Sequence, residues 1–561
     1  MNNQEIAKVF YEIAEYLTMD DIPFKPRAYE KAAAVIGVLD QEASEIYEEE
    51  GVKGLEAIET VGKGIAKVIE ELLKKGKTGI YEELKKKTPV NLSELTAVGG
   101  LGPKMIKKLY ICLKIKNLKD LEKAAKAGKI HDLEDFGLKT ENNILRSIEF
   151  VKKSGGRFLL GYALPDARKI EKRIKQIPGV KKAIIAGSIR RMKETIGDGD
   201  LLVCSNKKIN NVFVNMPEVI HVYSNGPTKS SVRLRNNMDF DLRVVPEKSF
   251  GAALQYFTGS KSHNIKLRKI AMKKGLKLNE YGLFKGKKAI ANTEQEIYKK
   301  LGLEYIEPEL REDTGEIEAA KKGNLPKLVS SLKGDLQMHT TWSDGVNSIK
   351  EMAQAAKSLG LEYILITDHT KDLKIAGGMD EKGFIRQGKE IDKIKSFKVL
   401  KGAEVDILKD GRLDLKDEVL KKFDVVGISV HLNIKMSKKE MTERIIKAMK
   451  NPHADILCHP TGRMINVRPG YEVDMEKIIR AAKETKTVLE INAHASRLDL
   501  KDEYIRMAKD QGIKLSISSD SHNINHFQHL EFGLAQARRG WAEKKDIINA
   551  WPVDKMLKML K

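Results

Sequence analysis

From residue 2 to residue 40 the apolar positions recur at helical spacing, with Ile6, Val9, Phe10, Ile13 and Leu17 on one face. Pro23 and Pro26 break that pattern before a second helix containing Ala28, Tyr29, Ala32 and Ala33. Beyond residue 156 the period shortens, and 182–186 reads as a buried strand. Residues 199–203 end apolar, as a strand does, and in 237–246 alternation puts Asp239, Asp241 and Arg243 on one face of another. Helical spacing returns over 246–318, with a small hairpin expected at 281–286. The polar segment 306–315 reads as the connection to the C-terminal region, and 319–333 is assigned as linker. From Gly334 short apolar strands alternate with amphipathic helices, the rhythm of a βα barrel.

Composition narrows the class. At 561 residues the chain exceeds one domain, and at roughly 100–200 residues per domain it holds about three to five. Lys and Arg number 101 against 79 Asp and Glu, a net charge of +22 that suits a polyanionic partner. Heat-adapted proteins are also lysine-rich, so the charge gains force only beside the motifs. Cys112, Cys204 and Cys458 are far apart, which gives neither a disulfide framework nor a thiolate zinc cluster. No run approaches the roughly 18 apolar residues that a membrane span needs. A cytoplasmic, nucleoid-associated monomer with no membrane contact is expected.

The chemistry centres on Gly187-Ser188-Ile189-Arg190-Arg191, followed by Asp198 and Asp200. After the strand at 182–186, Gly187 and Ser188 open a short helix whose free N–H groups suit phosphate. Asp198 and Asp200 share a strand face, and two carboxylates so close call for divalent cations between them. With Asp241 as a third, they would hold two Mg²⁺ (or Mn²⁺) ions for in-line phosphoryl transfer. Downstream stand Tyr256-Phe257-Thr258-Gly259, then Lys261, Asn264 and Arg268. In order and spacing these segments resemble the DNA polymerase X family. The resemblance implies that Gly187, Ser188 and Arg191 bind the incoming triphosphate. It further implies that Tyr256, Phe257 and Gly259 face the deoxyribose, that Asn264 contacts the base, and that Arg268 meets the template. Lys261 departs from the acidic residue of better-known relatives.

Two upstream glycine turns share one pattern, Val61-Gly62-Lys63-Gly64-Ile65 and Val98-Gly99-Gly100-Leu101-Gly102-Pro103-Lys104, each leading into a lysine-bearing helix. They resemble helix-hairpin-helix elements, which implies backbone contact to DNA phosphate at Gly62, Gly64, Gly100 and Gly102, with Lys63 and Lys104 beside them. A weaker third version lies at 133–140. Some relatives carry a Schiff-base lysine in the second helix after the hairpin. Alignment puts Val68 there, so deoxyribose phosphate lyase activity is expected to be weak or absent, with Lys31, Lys63 and Lys67 as phosphate contacts.

In the C-terminal region His and acidic residues collect at strand ends, where barrels place their chemistry. They are His339, Asp344, His369, Glu404, His431, His459, Asp520 and His522. Imidazole and carboxylate without thiolate suit Zn²⁺, Mn²⁺ or Fe²⁺, and so many ligands imply two or three ions. The set resembles the PHP phosphoesterases over 330–561, and that resemblance makes these eight residues the ligands. It makes Asp368 a supporting partner and puts Gln337 where the family pattern begins His-x-His. Arg463 and Arg497 are either phosphate clamps or structural salt bridges.

The combination resembles the bacterial and archaeal form of family X. It implies a multidomain chain: a small helical domain at 1–85, duplex-binding helices at 86–155, and an α+β nucleotidyltransferase palm at 156–245. A nascent-base-pair subdomain follows at 246–318 and a distorted βα PHP barrel at 334–561. The implied activity is gap-filling synthesis on primed or gapped duplex DNA with dNTPs in base excision repair, with 3′→5′ exonuclease and abasic-site cleavage from the barrel. A template-independent RNA nucleotidyltransferase shares the palm but needs neither tandem hairpins nor Tyr256-Phe257. A DNA-binding hydrolase with an idle palm and a purely architectural DNA-binding protein are the other classes.

Overall fold

A computed structural model describes residues 1, 3–36, 39, 41–96, 98, 101–153, 157–236 and 238–560. The chain divides into two compact units, one made chiefly of 1–155 and the other of 156–465 with 470–561.

The first unit is helical. Helix Asn3–Met19 buries Ile6, Phe10, Ile13 and Leu17, the predicted face, against helix Lys25–Ile36. Pro26 lies in the first turn of the second helix, where its missing N–H is no loss. The first helix also turns Tyr16 and Met19 into a second core around Leu95, Ile106 and Ile148, and the Tyr16 hydroxyl donates to the Val90 carbonyl at 3.0 Å. One helix therefore serves two cores, Ile6 to Leu72 on one side and Val90 to Ile148 on the other.

The second unit begins with a five-stranded sheet. Its order is Val180–Ile185, Asp198–Ser205, Asp239–Val244, Lys229–Leu234, Val219–Asn225. The second and third strands are parallel neighbours and place Asp198 opposite Asp239 and Asp200 opposite Asp241. Their alternate residues Leu201, Val203, Phe240 and Leu242 enter the core, so the carboxylates are left on the other face.

Helices Phe250–Thr258, Lys261–Lys273 and Glu294–Leu301 follow, with a three-stranded antiparallel sheet between the last two. Here the expectation of a linker at 306–315 is wrong. Ile306, Pro308 and Leu310 are buried and Arg311 is fully enclosed. Arg311 bonds Glu294 at 2.7 Å and the Ile306 carbonyl at 2.9 Å, and lies over the rings of Tyr298 and Tyr305. Glu294 also takes Arg190 at 2.6 Å. The segment is polar because its charges pair inside the fold, a state that composition does not distinguish from exposure. Arg311→Met is expected to cost about 3 kcal/mol, the low end of the range for breaking a buried pair, because Arg190 still holds Glu294. A shift in the denaturation midpoint reads it.

Seven parallel strands then run in sequence order from Gly334–Asp335 to Leu515–Ser518 among the described residues. A bridge between Met338 and Ser521, with the His339 N–H donating to the Ser521 carbonyl at 2.7 Å, joins the first strand to the last and nearly closes the barrel. Ile465, Ala495, Leu498 and Phe532 of the barrel pack into the same core as the five-stranded sheet. Arg463 spans the seam to Glu194 at 2.7 Å and also donates to the Arg497 and Leu498 carbonyls. Of its two sequence roles Arg463 takes the salt bridge.

Candidate active site and candidate metal centre

A cleft of about 440 Å³ opens beside the parallel carboxylate strands. Asp198, Asp200, Gly187, Ser188 and Arg191 line it together with Tyr256, Phe257, Gly259, Asn264 and Arg268. Two stretches distant in sequence, 187–200 and 256–268, converge there. Gly187 sits at φ +59°, and a Cβ on it would stand 2.2 Å from Asp200 Oδ2, so only glycine lets the helix start approach the carboxylate. Burial first, then repulsion from Asp198 and Asp241, pushes Asp200 up to about 7. That is the condition a divalent cation relieves.

Asp241 is held by Lys229 at 2.7 Å, a residue sequence reading missed, with Arg243 4.0 Å away. Lys229 lies opposite Arg243 on the neighbouring antiparallel strand; only strand pairing reveals it. Asp239 points to Arg233 at 2.8 Å instead. The two arginines of the motif have separate duties. Arg190 is anchored by Glu294 and Thr258, whereas Arg191 lines the cleft and pairs with Glu312 at 3.0 Å. Arg539 of the barrel reaches the same Glu312 at 3.2 Å and the Arg191 carbonyl at 3.0 Å. Asn264 is oriented by Gln255 and donates to the Tyr256 carbonyl, each at 2.7 Å. Arg243 stacks 4.3 Å from the Phe257 ring. The cleft also takes in Arg157 and Lys261.

In the helical unit Gly62 caps helix Lys63–Lys75 and Gly102 caps Pro103–Leu113. A Cβ on Gly62, Gly64 or Gly102 would meet nothing within 4 Å, so these backbones face open space. Lys63 and Lys67 are exposed, Lys104 pairs with Asp21 on the surface, and Val68 is buried. Gly100 lies outside the described residues.

At the barrel mouth the eight predicted ligands form one connected cluster around Glu404. Its Oε1 lies 2.7 Å from His459 Nε2 and 3.4 Å from His431 Nε2. Its Oε2 lies 3.4 Å from His369 and 3.5 Å from His339. Asp344 meets His522 at 3.4 Å and His369 at 3.7 Å, and Asp520 meets His339 at 3.3 Å. Two overlapping groups, His339/Asp344/His369/His522 and His369/Glu404/His431, have donor atoms mutually within 4.8 Å. Both ring nitrogens of His339 and Nδ1 of His369 and His459 are buried with no hydrogen-bond partner, a state that calls for one. Neither amide atom of Gln337 has a partner either. His459 and Asp520 hold positive φ, +29° and +54°, a strain that gathers at functional sites. The residues present fit divalent cations.

Supporting groups surround the ligands. Asp368 accepts from Thr340, Ser343 and Gln387, of which Thr340 and Ser343 are the chain neighbours of His339 and Asp344. Glu404 stands inside strand Lys398–Asp406, not after it, and Asp406, two residues on and on the same face, accepts from His431 Nδ1 at 3.0 Å. Asp406 was legible from that alternation and was overlooked, as was buried Glu490, whose Oε2 accepts the His459 N–H at 2.7 Å. Arg497 stands 3.6 Å from Asp520. A third group, His494, His526 and His529, was also missed.

Burial works against a charged His431, but Glu404 and Asp406 prevail and raise it to about 10; likewise Asp344 and Asp520 raise His522 to about 9. Burial and His339 drive His369 down to about 3. His431 and His522 are therefore imidazolium at neutral pH in the metal-free chain. Their stabilisation is complete below the ordinary histidine value and is lost as pH climbs through 9 to 10. A cation needs both neutral, so loading the barrel at pH 7 is expected to release about two protons. Affinity should climb with pH up to that range; indicator absorbance in weak buffer measures the release.

Comparison with known proteins agrees with this geometry. A helix-hairpin-helix domain family matches residues 1–78, the DNA polymerase beta thumb matches 253–312, and the PHP domain matches 335–494. The chain is 38% identical to the DNA polymerase/3′-5′ exonuclease PolX of Bacillus subtilis, over 98% of each chain. It is 34% identical to a probable phosphatase of Acetivibrio thermocellus over 34% of this chain and 78% of that one, and 27% identical to a probable phosphatase of Syntrophotalea carbinolica over 40% and 90%. The polymerase and PHP domains imply dependence on divalent metal. With a relative matched from end to end and the hairpin, thumb and PHP segments in order, the chain belongs to the PolX family of DNA polymerases that carry a C-terminal PHP domain.

Proposed function

We propose that this protein fills short gaps in DNA during repair, extending a primer from dNTPs at the palm, and trims 3′ ends at the barrel. The observation that carries the reading is the register of Asp200 with Asp241 on adjacent parallel strands, Asp200 lining a cleft with Gly187, Arg191, Tyr256 and Asn264. The palm ions are Mg²⁺ or Mn²⁺, and the barrel takes two or three of Zn²⁺, Mn²⁺ or Fe²⁺. When bound, such ions neutralise phosphate charge and lower the pKa of the attacking group.

The chain's own residues do the rest. Asp198 and Asp200 hold the palm site, and Asp241 faces the primer terminus and draws its 3′ proton away. Gly187 and Ser188 present N–H groups to the triphosphate, and Arg191 exchanges Glu312 for phosphate as pyrophosphate departs. Tyr256, Phe257 and Gly259 face the deoxyribose, Asn264 the base and Arg268 the template. Gly62, Gly64, Gly100 and Gly102, with Lys63 and Lys104, hold the DNA backbone. At the barrel, His339, Asp344, His369, Glu404, His431, His459, Asp520 and His522 hold the cations that position a phosphodiester, at 3′ ends and at abasic sites. The protein works as a monomer on the nucleoid in the cytoplasm.

The test is a 5′-labelled primer at a short gap bearing a 5′ phosphate, incubated with Mn²⁺. Template-directed lengthening with dNTPs and shortening without them is the expected result. Absence of lengthening overturns the polymerase reading, and absence of shortening overturns the barrel reading. Val68 is buried where some relatives place a nucleophilic lysine, so borohydride with a 5′-deoxyribose phosphate substrate is expected to trap no strong covalent adduct.

A further inference from the structure

Beside the Asp520–His522 turn lies a group of three imidazoles to which the reading above gives no task. His526 and His529 belong to the 3₁₀ helix Ile524–His529. With three residues per turn, positions three apart eclipse, so both rings leave the same side; they stack with centroids 4.8 Å apart. His494, just after strand Val488–Asn492, brings its ring to 4.9 Å from His529 and 5.6 Å from His526. One nitrogen from each lies within 4.8 Å of the other two, the same compactness as the two groups around His369.

We propose that His494, His526 and His529 form an additional divalent-cation site of the Zn²⁺ class. A Zn–N bond of about 2.0–2.1 Å puts tetrahedral ligand nitrogens about 3.4 Å apart, and rotation of these partly exposed rings covers the difference. His529 Nδ1 is buried with no hydrogen-bond partner. His494 Nδ1 pairs with Ser496 Oγ at 2.9 Å, the outer contact that fixes a ligand ring and leaves Nε2 for the cation. The His522 N–H reaches His526 Nδ1 at 3.3 Å, a long contact that the ring exchanges on binding and that ties the site to the His522 ligand. Three imidazoles without carboxylate or thiolate favour Zn²⁺ over the oxygen-seeking Mg²⁺ and Mn²⁺. Three protein ligands leave a fourth position for water or a phosphate oxygen.

The test uses the full-length chain, stripped with a chelator, reloaded with Zn²⁺ and freed of excess metal. Elemental analysis compares the wild type with His494→Gln/His529→Gln. Loss of one bound Zn²⁺ per chain in the double variant, with cooperative melting retained, is expected; unchanged stoichiometry overturns the site. Should the double variant fail to melt cooperatively, the wild type alone decides. Saturating Zn²⁺ should slow diethyl pyrocarbonate modification of His494, His526 and His529 at least tenfold by peptide mass analysis. Unprotected rings would overturn the proposal.

Discussion

Asp241→Asn is expected to abolish primer lengthening, by about 10³-fold or more, equivalent to roughly 4 kcal/mol of transition-state stabilisation. Shortening of the same primer should stay within twofold. The substitution keeps the shape and the partner of this position but removes the charge that sits opposite Asp200 and 2.7 Å from Lys229. Asp200 lies in the same field, so its proton leaves more readily once Asp241 is neutral. A variant that binds one cation normally and still fails to extend would place Asp241 at the chemistry itself. Extension by the variant at wild-type rates would remove it from the site.

The converse result is expected of His369→Ala. His369 is the residue common to both ligand groups at the barrel mouth, between Asp344 and Glu404. Removing it opens both, and shortening should fall by at least about 10²-fold, the upper end of losses from disturbed metal shells. Added Mn²⁺ should not restore it, and lengthening should persist. Loss of both activities in either single variant would sink the two-centre reading.

The reach of the sequence is clear from particular residues. Period-two alternation over 237–246 placed Asp239 and Asp241 on one face, yet the neighbouring strand sends Arg233 to the first and Lys229 to the second. Alternation reports a face and is silent about the partner across it. The clustered His and acidic residues of the barrel were legible because each stands at or near the end of a short apolar run, a local signal. Asp406 carried the same signal and was passed over. The histidines at 494, 526 and 529 carried less, since two lie on a 3₁₀ turn whose short period mimics an irregular loop. The segment 306–315 misled because a charged run that pairs inside the fold has the composition of a solvated one, and Arg311 is distinguishable only by its surroundings.

The core shared by the five-stranded sheet and the barrel sets a condition on how a primer end would pass between the two centres. Swinging the barrel away would expose Ile465, Leu498 and Phe532, at about 1.5–3 kcal/mol each, and would break the Arg463–Glu194 and Arg539–Glu312 ties. These contacts oppose separation of the barrel from the sheet. On the proposed reading, a primer end passing from palm to barrel crosses a separation that these contacts set, so melting of that end from its template, and not a swing of the barrel, is the step expected to limit transfer.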